Sequence, residues 1–139
     1  MPLKKPLSLL VPQRMRTVPR SFAWIDHRLR SEGFLPRLRP EDLGLYLFLA
    51  LAADQQGLSC WRLDRIEKTM PCFDRHMLWD ARTRLAEMDL IAYRPWRGGE
   101  PDGCYQVLSV ESPTERSSPE LQQAMAQVLQ HLEAPSTRY

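Results

Sequence analysis

The stretch that decides the fold runs from residue 74 to residue 91 and reads DRHMLWDARTRLAEMDLI. Its apolar residues recur at intervals of three and four, which is the spacing of one face of an amphipathic helix; they are Leu78, Ala81, Leu85 and Met88. Asp74 can cap this helix, because its short carboxylate can accept a hydrogen bond from a first-turn backbone N–H. The sequence therefore predicts a helix from Asp74 to about Met88.

A helix, a short strand and a second short helix precede this segment. Pro40 begins the first helix, where its fixed φ suits the first turn. Residues 43–53 are apolar on almost every side, which is typical of a helix surrounded by other elements. Residues 58–61 are a strand candidate, and residues 63–69 predict a short helix that stops at Met70, because the residue before a proline avoids the helical region.

Two strands are predicted after the quoted segment, at residues 90–96 and 104–110. The connection between them, residues 97–103, reads RGGEPDG, and its glycines and proline predict a protruding hairpin. Pro95 suits only an edge strand, because proline has no N–H to donate to a neighbouring strand. The expected fold class is mainly α with a small β-wing.

This order of elements resembles the winged helix-turn-helix superfamily of DNA-binding regulators and replication initiators from bacteria, phages and plasmids. Many members have, at the places of residues 74–91, a polar cap, polar or basic residues, an aromatic residue, an alanine, a leucine and a Leu-Gly-Leu-Ile exit. Asp89 stands here for that glycine, and aspartate can adopt the left-handed conformation. The resemblance covers residues 40–110, about half of the chain, and implies that the helix from Asp74 enters the major groove of duplex DNA.

The resemblance also implies which residues contact nucleic acid. Arg75 is the candidate for reading guanine, because its planar fork matches two acceptors, and Thr83 is a candidate for a phosphate or a thymine methyl group. Two further arginines of the hairpin would lie along the backbone or in the minor groove. The contacts expected on the helix and the hairpin are Arg75, His76, Trp79, Arg82, Thr83, Arg94 and Arg97.

The basic charge is concentrated in the N-terminal third of the chain. Residues 1–39 carry nine Lys and Arg against Asp26 and Glu32, whereas residues 40–110 have a net charge of −3 and residues 111–139 of −2. Residues 1–20 contain four prolines and no acidic residue, so they predict an extended basic arm that meets a polyanion. The alternative is a tail that only aids solubility. The candidate contacts of the arm are Lys4, Lys5, Arg14, Arg16 and Arg20.

Two flanking helices complete the expected organisation. Ser21 can cap a helix that carries Phe22, Ile25 and Leu29 on one side and ends near Gly33. A linker then leads to residue 39 and the winged-helix unit at 40–110. After a linker at 111–118, residues 119–134 predict an amphipathic helix, which is marginal alone in water at this length. Its apolar face must dock on the domain, on another protein or on a second copy of the chain. The interface residues expected on that face are Leu121, Met125, Val128 and Leu132.

The charges of the 74–88 helix leave other functions open. Asp80 and Glu87 share its outward face with Thr83, and carboxylates that face phosphates are unfavourable. An exposed Trp79 is also typical of protein interfaces. The alternative is therefore an adaptor that binds other proteins in a nucleoprotein assembly. A third hypothesis is RNA binding, with unpaired bases stacked on tryptophan side chains.

The composition argues against several other classes of protein. No segment approaches the roughly 20 apolar residues of a membrane span, and no phosphate loop, nucleophile elbow or carboxylate pair is present. We therefore expect no enzyme activity, no cofactor and no membrane partner. Cys60, Cys72 and Cys104 are odd in number and widely spaced, which favours reduced thiols in a cytoplasmic protein. Cys72 and His76 lie four apart but lack the further ligands that zinc needs, so no metal is expected.

Overall fold

The computed structural model describes residues 7–96, residues 101–111 and the single residue 127. The helices of these residues are α1 (Arg28–Ser31), α2 (Pro40–Ala52), α3 (Leu63–Thr69) and α4 (Arg75–Glu87), and the strands are β1 (Leu58–Trp61), β2 (Ile91–Pro95) and β3 (Gly103–Val107). Two short 3-10 turns lie at Pro12–Arg14 and Leu35–Arg37. Helices predominate over one small sheet, as the sequence predicts.

Several predicted features lie outside the described residues. They are the linker beyond Glu111, the 119–134 helix except for Gln127, the interface residues Leu121, Met125, Val128 and Leu132, and the basic residues Lys4, Lys5 and Arg97.

The three strands form one antiparallel sheet in the order β1-β3-β2. β2 is thus an edge strand, which confirms the expectation from Pro95. Pro95 faces Gly103 across the β2–β3 pair. A Cβ atom at Gly103 would collide with the backbone oxygen of Arg94, so the close approach of these two strands depends on glycine at this position.

The core lies where α2, α3, α4 and the sheet meet. Leu78, Ala81 and Leu85 are at most 1% exposed, which confirms the predicted buried stripe of α4, whereas Met88 is only partly buried. Leu49, Ile66 and Tyr105 are buried against this stripe in the same cluster, together with Leu45, Leu63, Leu90 and Ile91. The opposite side of α4 is thereby turned away from the core.

A buried ion pair fixes α4 to the first turn of α2. Asp42 is 0% exposed and its carboxylate accepts hydrogen bonds from Nε of Arg84 at 2.9 and 3.0 Å. The backbone N–H of Arg39 donates to the same carboxylate at 3.0 Å, and Nη2 of Arg84 lies 3.1 Å from Glu41. The hydrogen bonds to Asp42 raise the pKa of Arg84. Asp42 therefore joins α4 to the first turn of α2.

The N-terminal helix is shorter than the sequence predicts. It begins at Arg28 and not after Ser21, because the Asp26 carboxylate accepts the backbone N–H of Arg28 at 2.8 Å and also binds its guanidinium group. Gly33 follows the helix with a φ of 76°, so the predicted end is confirmed. The prediction from Ser21 was wrong because Phe22 and Ile25, whose spacing indicated a helix, are 63% and 46% exposed.

α2 is not enclosed on every side, contrary to the prediction from its apolar sequence. Leu43, Leu47 and Leu51 lie one helical turn apart and are 41%, 48% and 66% exposed. The other faces of α2 pack against α4 and the sheet. Neither α2 nor any other helix in the described ranges has the length and apolar character required to cross a membrane.

The prediction of reduced thiols is wrong for two of the three cysteines. Cys60 on β1 and Cys104 on β3 are directly opposite each other in the strand register, and a disulfide joins them. Cys72 is a free, exposed thiol. The sequence hides this pairing because 44 positions separate the two cysteines, and only the antiparallel register of β1 and β3 brings them together.

Candidate nucleic-acid interface

The outer face of α4 is formed by five exposed residues. The helix begins as predicted: the Asp74 carboxylate accepts the backbone N–H of Met77 at 2.8 Å, so Asp74 is the N-cap. Burial of the opposite stripe then leaves one side of the helix accessible. The outer face consists of Arg75, His76, Asp80, Thr83 and Glu87.

Arg75 begins this face and already has a partner. Its Nε lies 3.1 Å from a carboxylate oxygen of Glu67 on α3, and the two side chains are 58% and 32% exposed. Ion pairs at this level of exposure are weak, typically below about 1 kcal/mol. A phosphate or a guanine edge can therefore compete with Glu67 for the guanidinium group.

The middle and the C-terminal end of the outer face are less favourable to nucleic acid. Asp80 and Glu87 are exposed there, as the sequence indicated, and they repel phosphates. Thr83 donates its hydroxyl proton to the backbone oxygen of Trp79 at 3.2 Å, so its oxygen remains only as an acceptor. The basic end of the face is therefore the N-terminal half of α4.

Arg82 does not lie on the outer face, although it was expected to contact nucleic acid. It is 6% exposed, and its guanidinium carbon lies 4.2 Å from the ring centre of Trp79 and 3.9 Å from that of Tyr93. It also donates a hydrogen bond of 3.4 Å to the backbone oxygen of Pro101. Trp79 is accordingly half-buried rather than free. Helical spacing alone could not reveal this, because the aromatic ring and carbonyl that enclose Arg82 come from the hairpin.

The base of the β2–β3 hairpin is also attached to α3. A carboxylate oxygen of Asp102 accepts the backbone N–H of Leu63, the first residue of α3, at 2.9 Å. The backbone oxygen of Asp102 accepts from Tyr93 at 3.1 Å and from the backbone of Trp96 at 2.9 Å. Together with Arg82, these bonds fix the hairpin beside α4. The predicted contact Arg94 is exposed on the edge strand β2.

The basic side chains in the described part of the arm are exposed to solvent. Arg14, Arg16 and Arg20 are exposed, and residues 15–27 contain neither helix nor strand. The single regular feature is the 3-10 turn Pro12–Arg14. Residues 7–20 contain no other helix or strand.

Two further basic residues escaped the sequence analysis. Arg65 and Lys68 are exposed on α3, on the side opposite the buried Leu63 and Ile66. Neither forms an ion pair within the described ranges. The sequence contained one signal for this basic surface. The two cations are three residues apart, and an apolar pair with the same spacing lies on the other side of the short helix. The bond from Arg75 to Glu67 indicates that the exposed sides of α3 and α4 adjoin.

No protein family, curated protein or solved structure was found to match this chain. The described residues also contain no group of three His, Cys, Asp or Glu side chains placed to hold a metal ion. The function of this chain therefore has to be inferred from the geometry of α4, α3 and the hairpin.

Proposed function

We propose that this chain is a winged-helix protein that binds duplex DNA, with α4 in the major groove. The observation that carries the proposal is the uncovered outer face of α4, supported from behind by α2 and α3 and flanked by a hairpin. The order α2-β1-α3-α4-β2-β3, with strand order β1-β3-β2, supports the assignment to the winged-helix fold. The protein would act as a transcription regulator or replication-initiation factor of a bacterium or mobile element.

The distribution of charge supports an approach by the N-terminal half of α4. Arg75 and His76 lie at that end, where recognition helices contact base edges. Arg65 and Lys68 on α3 and Arg94 on the hairpin are exposed cations on either side of it. Each cation that meets a phosphate steepens the dependence of log K on log salt by about 0.9. The basic arm would add its own contacts along the backbone.

The attachment of the hairpin supports a defined position of the wing against the groove. Arg82 links α4 to the hairpin, and Asp102 links the hairpin to α3. A wing held at its base in this way reaches the backbone at a fixed distance from α4, so less ordering is needed on binding.

The test is the affinity for labelled duplex DNA, measured by fluorescence anisotropy at about 50 and 200 mM salt, a range over which phosphate contacts lose most of their strength. We expect binding at the lower salt concentration and a loss of about five- to a hundredfold for Arg75→Ala on a preferred sequence. Arg30→Ala removes an exposed arginine from α1 and should have little effect. Glu67→Gln should strengthen binding, because it releases Arg75 and removes a negative charge. Absence of duplex binding at 50 mM salt would contradict the proposal.

A second candidate is an adaptor that binds proteins rather than DNA. The observation that favours it is the exposed row Leu43, Leu47 and Leu51 on α2, together with the acidic residues Asp80 and Glu87 of α4. The adaptor hypothesis predicts no duplex binding at low salt. The DNA proposal predicts that Leu47→Glu leaves duplex affinity unchanged, because this leucine is exposed on a face of α2 that does not pack against α4.

A further inference from the structure

An open groove of about 670 Å³ lies at the end of α2 that is farther from Pro40. Its lining comes from four parts of the chain. Residues 22–24, Asp26 and Arg28 contribute from the N-terminal segment, and Tyr46 and Ala50 contribute from α2. The turn at residues 53–57 and residues 106–110, where the chain leaves the sheet, contribute the rest.

Large apolar side chains border this groove without being covered. Phe22 is 63% exposed and Trp24 is 75% exposed. Both residues line the groove, whereas Tyr46, which lines it from α2, is only 7% exposed. Aromatic side chains of this size contribute most to stability when they are covered. The groove therefore has the character of a docking surface for an apolar partner.

The chain itself leaves the described region at the rim of the groove. Ser109 and Val110 line it, and Glu111 is the next residue. The seven residues 112–118 can span at most about 25 Å, and a helix over residues 119–134 would be about 24 Å long. Any segment that follows this short linker is held beside the groove at an effective concentration in the millimolar range.

We propose that residues 119–134 dock in this groove as an amphipathic helix of the same chain. Its apolar face would cover Phe22 and Trp24, and the face consists of Leu121, Ala124, Met125, Val128, Leu129 and Leu132. Gln127, which falls on the opposite side of that helix, is helical and exposed, as the docked arrangement requires. The proposal does not depend on DNA binding by α4.

The short linker at residues 112–118 favours residues 119–134 of the same chain over a second copy of the chain as the occupant of the groove. A helix of sixteen residues is marginal alone in water and gains stability from an apolar surface. Docking within the chain avoids the loss of translational freedom that association of two copies costs. The groove is also adjacent to the exit point, so the linker needs no extended path.

The experiment is hydrogen–deuterium exchange of the full chain, read at the amides of residues 121–132. A docked helix protects its amides, whereas an isolated short helix exchanges almost freely. The double variant Met125→Glu and Leu129→Glu charges the apolar face. The matched control, Gln123→Glu and Gln127→Glu, places the same charge at the same spacing on the polar face. A second variant, Ala53→Arg, places a long side chain in the groove at one of its lining residues. Ala92→Arg, on β2, is the control for this variant.

We expect protection in the wild type and both controls, and its loss by about tenfold or more in the apolar-face variant and in Ala53→Arg, with a monomer mass throughout. The α4 amides report whether the domain stays folded in each variant. The proposal is overturned if residues 121–132 exchange freely in the wild type, or if charging the apolar face leaves their protection unchanged. It is also overturned if protection falls on dilution together with a halved mass, since a second copy would then be the occupant.

Discussion

Removal of the cation that fixes α4 to α2 should destabilise the domain strongly. Arg84→Met keeps most of the length of the side chain but leaves the carboxylate of Asp42 buried at 0% exposure. The only other hydrogen bond described to that carboxylate is the one from the backbone of Arg39. Breaking a buried pair by removing one partner costs about 3–5 kcal/mol.

The expected cost of breaking the Arg84–Asp42 pair is somewhat lower than this, because the side chain of Arg84 is 23% exposed and water reaches part of the pair. We therefore expect a loss of about 2–4 kcal/mol in the free energy of unfolding. For a domain of this size each kcal/mol lowers Tm by about 4–8 °C, so Tm should fall by at least about 8 °C. Urea unfolding followed by circular dichroism measures the loss.

Arg75→Met is the matched control, since it removes an arginine of the same helix whose ion pair is exposed; it should cost below about 1 kcal/mol. A double-mutant cycle with Asp42→Ala isolates the pair. Asp42→Ala should cost much less in the Arg84→Met background than in the wild type, with a coupling of about 1–3 kcal/mol. Equal costs for Arg84→Met and Arg75→Met, or a coupling near zero, would refute the reasoning.

Three further changes test other parts of the fold. Burial raises the pKa of Tyr46 above its usual 10.0. The stability that the neutral Tyr46 side chain contributes is therefore complete below the pKa of the unfolded chain and is lost as the pH rises through the higher pKa of the folded chain. Tyr46→Phe should accordingly unfold less readily than the wild type in alkaline titrations. Gly57 has a φ of 87° and a Cβ there would meet the backbone oxygen of Val107, so Gly57→Ala should cost about 1–3 kcal/mol in urea unfolding. The Cys60–Cys104 disulfide closes a loop of 44 residues, so its reduction should lower the free energy of unfolding by up to about 4 kcal/mol. An unchanged urea midpoint after reduction would mean that this bond does not constrain the unfolded chain.

Local patterns in the sequence were sufficient to predict most helices and strands. The bounds of β1 and α3 agree with the prediction, because a strand after Gly57 and a helix stopped by Met70-Pro71 are each specified by neighbouring residues. Asp74 caps α4 for the same reason. Asp89 has a φ of 57°, as expected for the residue that takes the place of glycine at the exit from α4.

Contacts between distant residues were the part that the sequence could not reveal. Arg82 is spaced like an accessible residue of α4, but Tyr93 and Pro101 from the hairpin enclose it. The cap that Asp102 provides for α3 is equally remote in sequence. These contacts arise from the relative placement of elements, which periodicity does not encode.

The N-terminal segment illustrates the opposite error. Its apolar spacing indicated a helix from Ser21. In the structure the helix begins only at Arg28, whose backbone N–H and guanidinium group bind the Asp26 carboxylate, and Phe22 is exposed. Apolar spacing alone therefore did not specify where this helix begins.

The most direct test of the proposed function is an NMR titration of the isotope-labelled chain with a short DNA duplex at about 50 mM salt, where phosphate contacts are strong. We predict that amide shifts concentrate at Arg75, His76 and Thr83 on α4 and at Arg94 on β2, while Leu47 on α2 does not move. Shifts confined to the N-terminal arm, or an α4 that is unaffected at saturating duplex, would contradict the account.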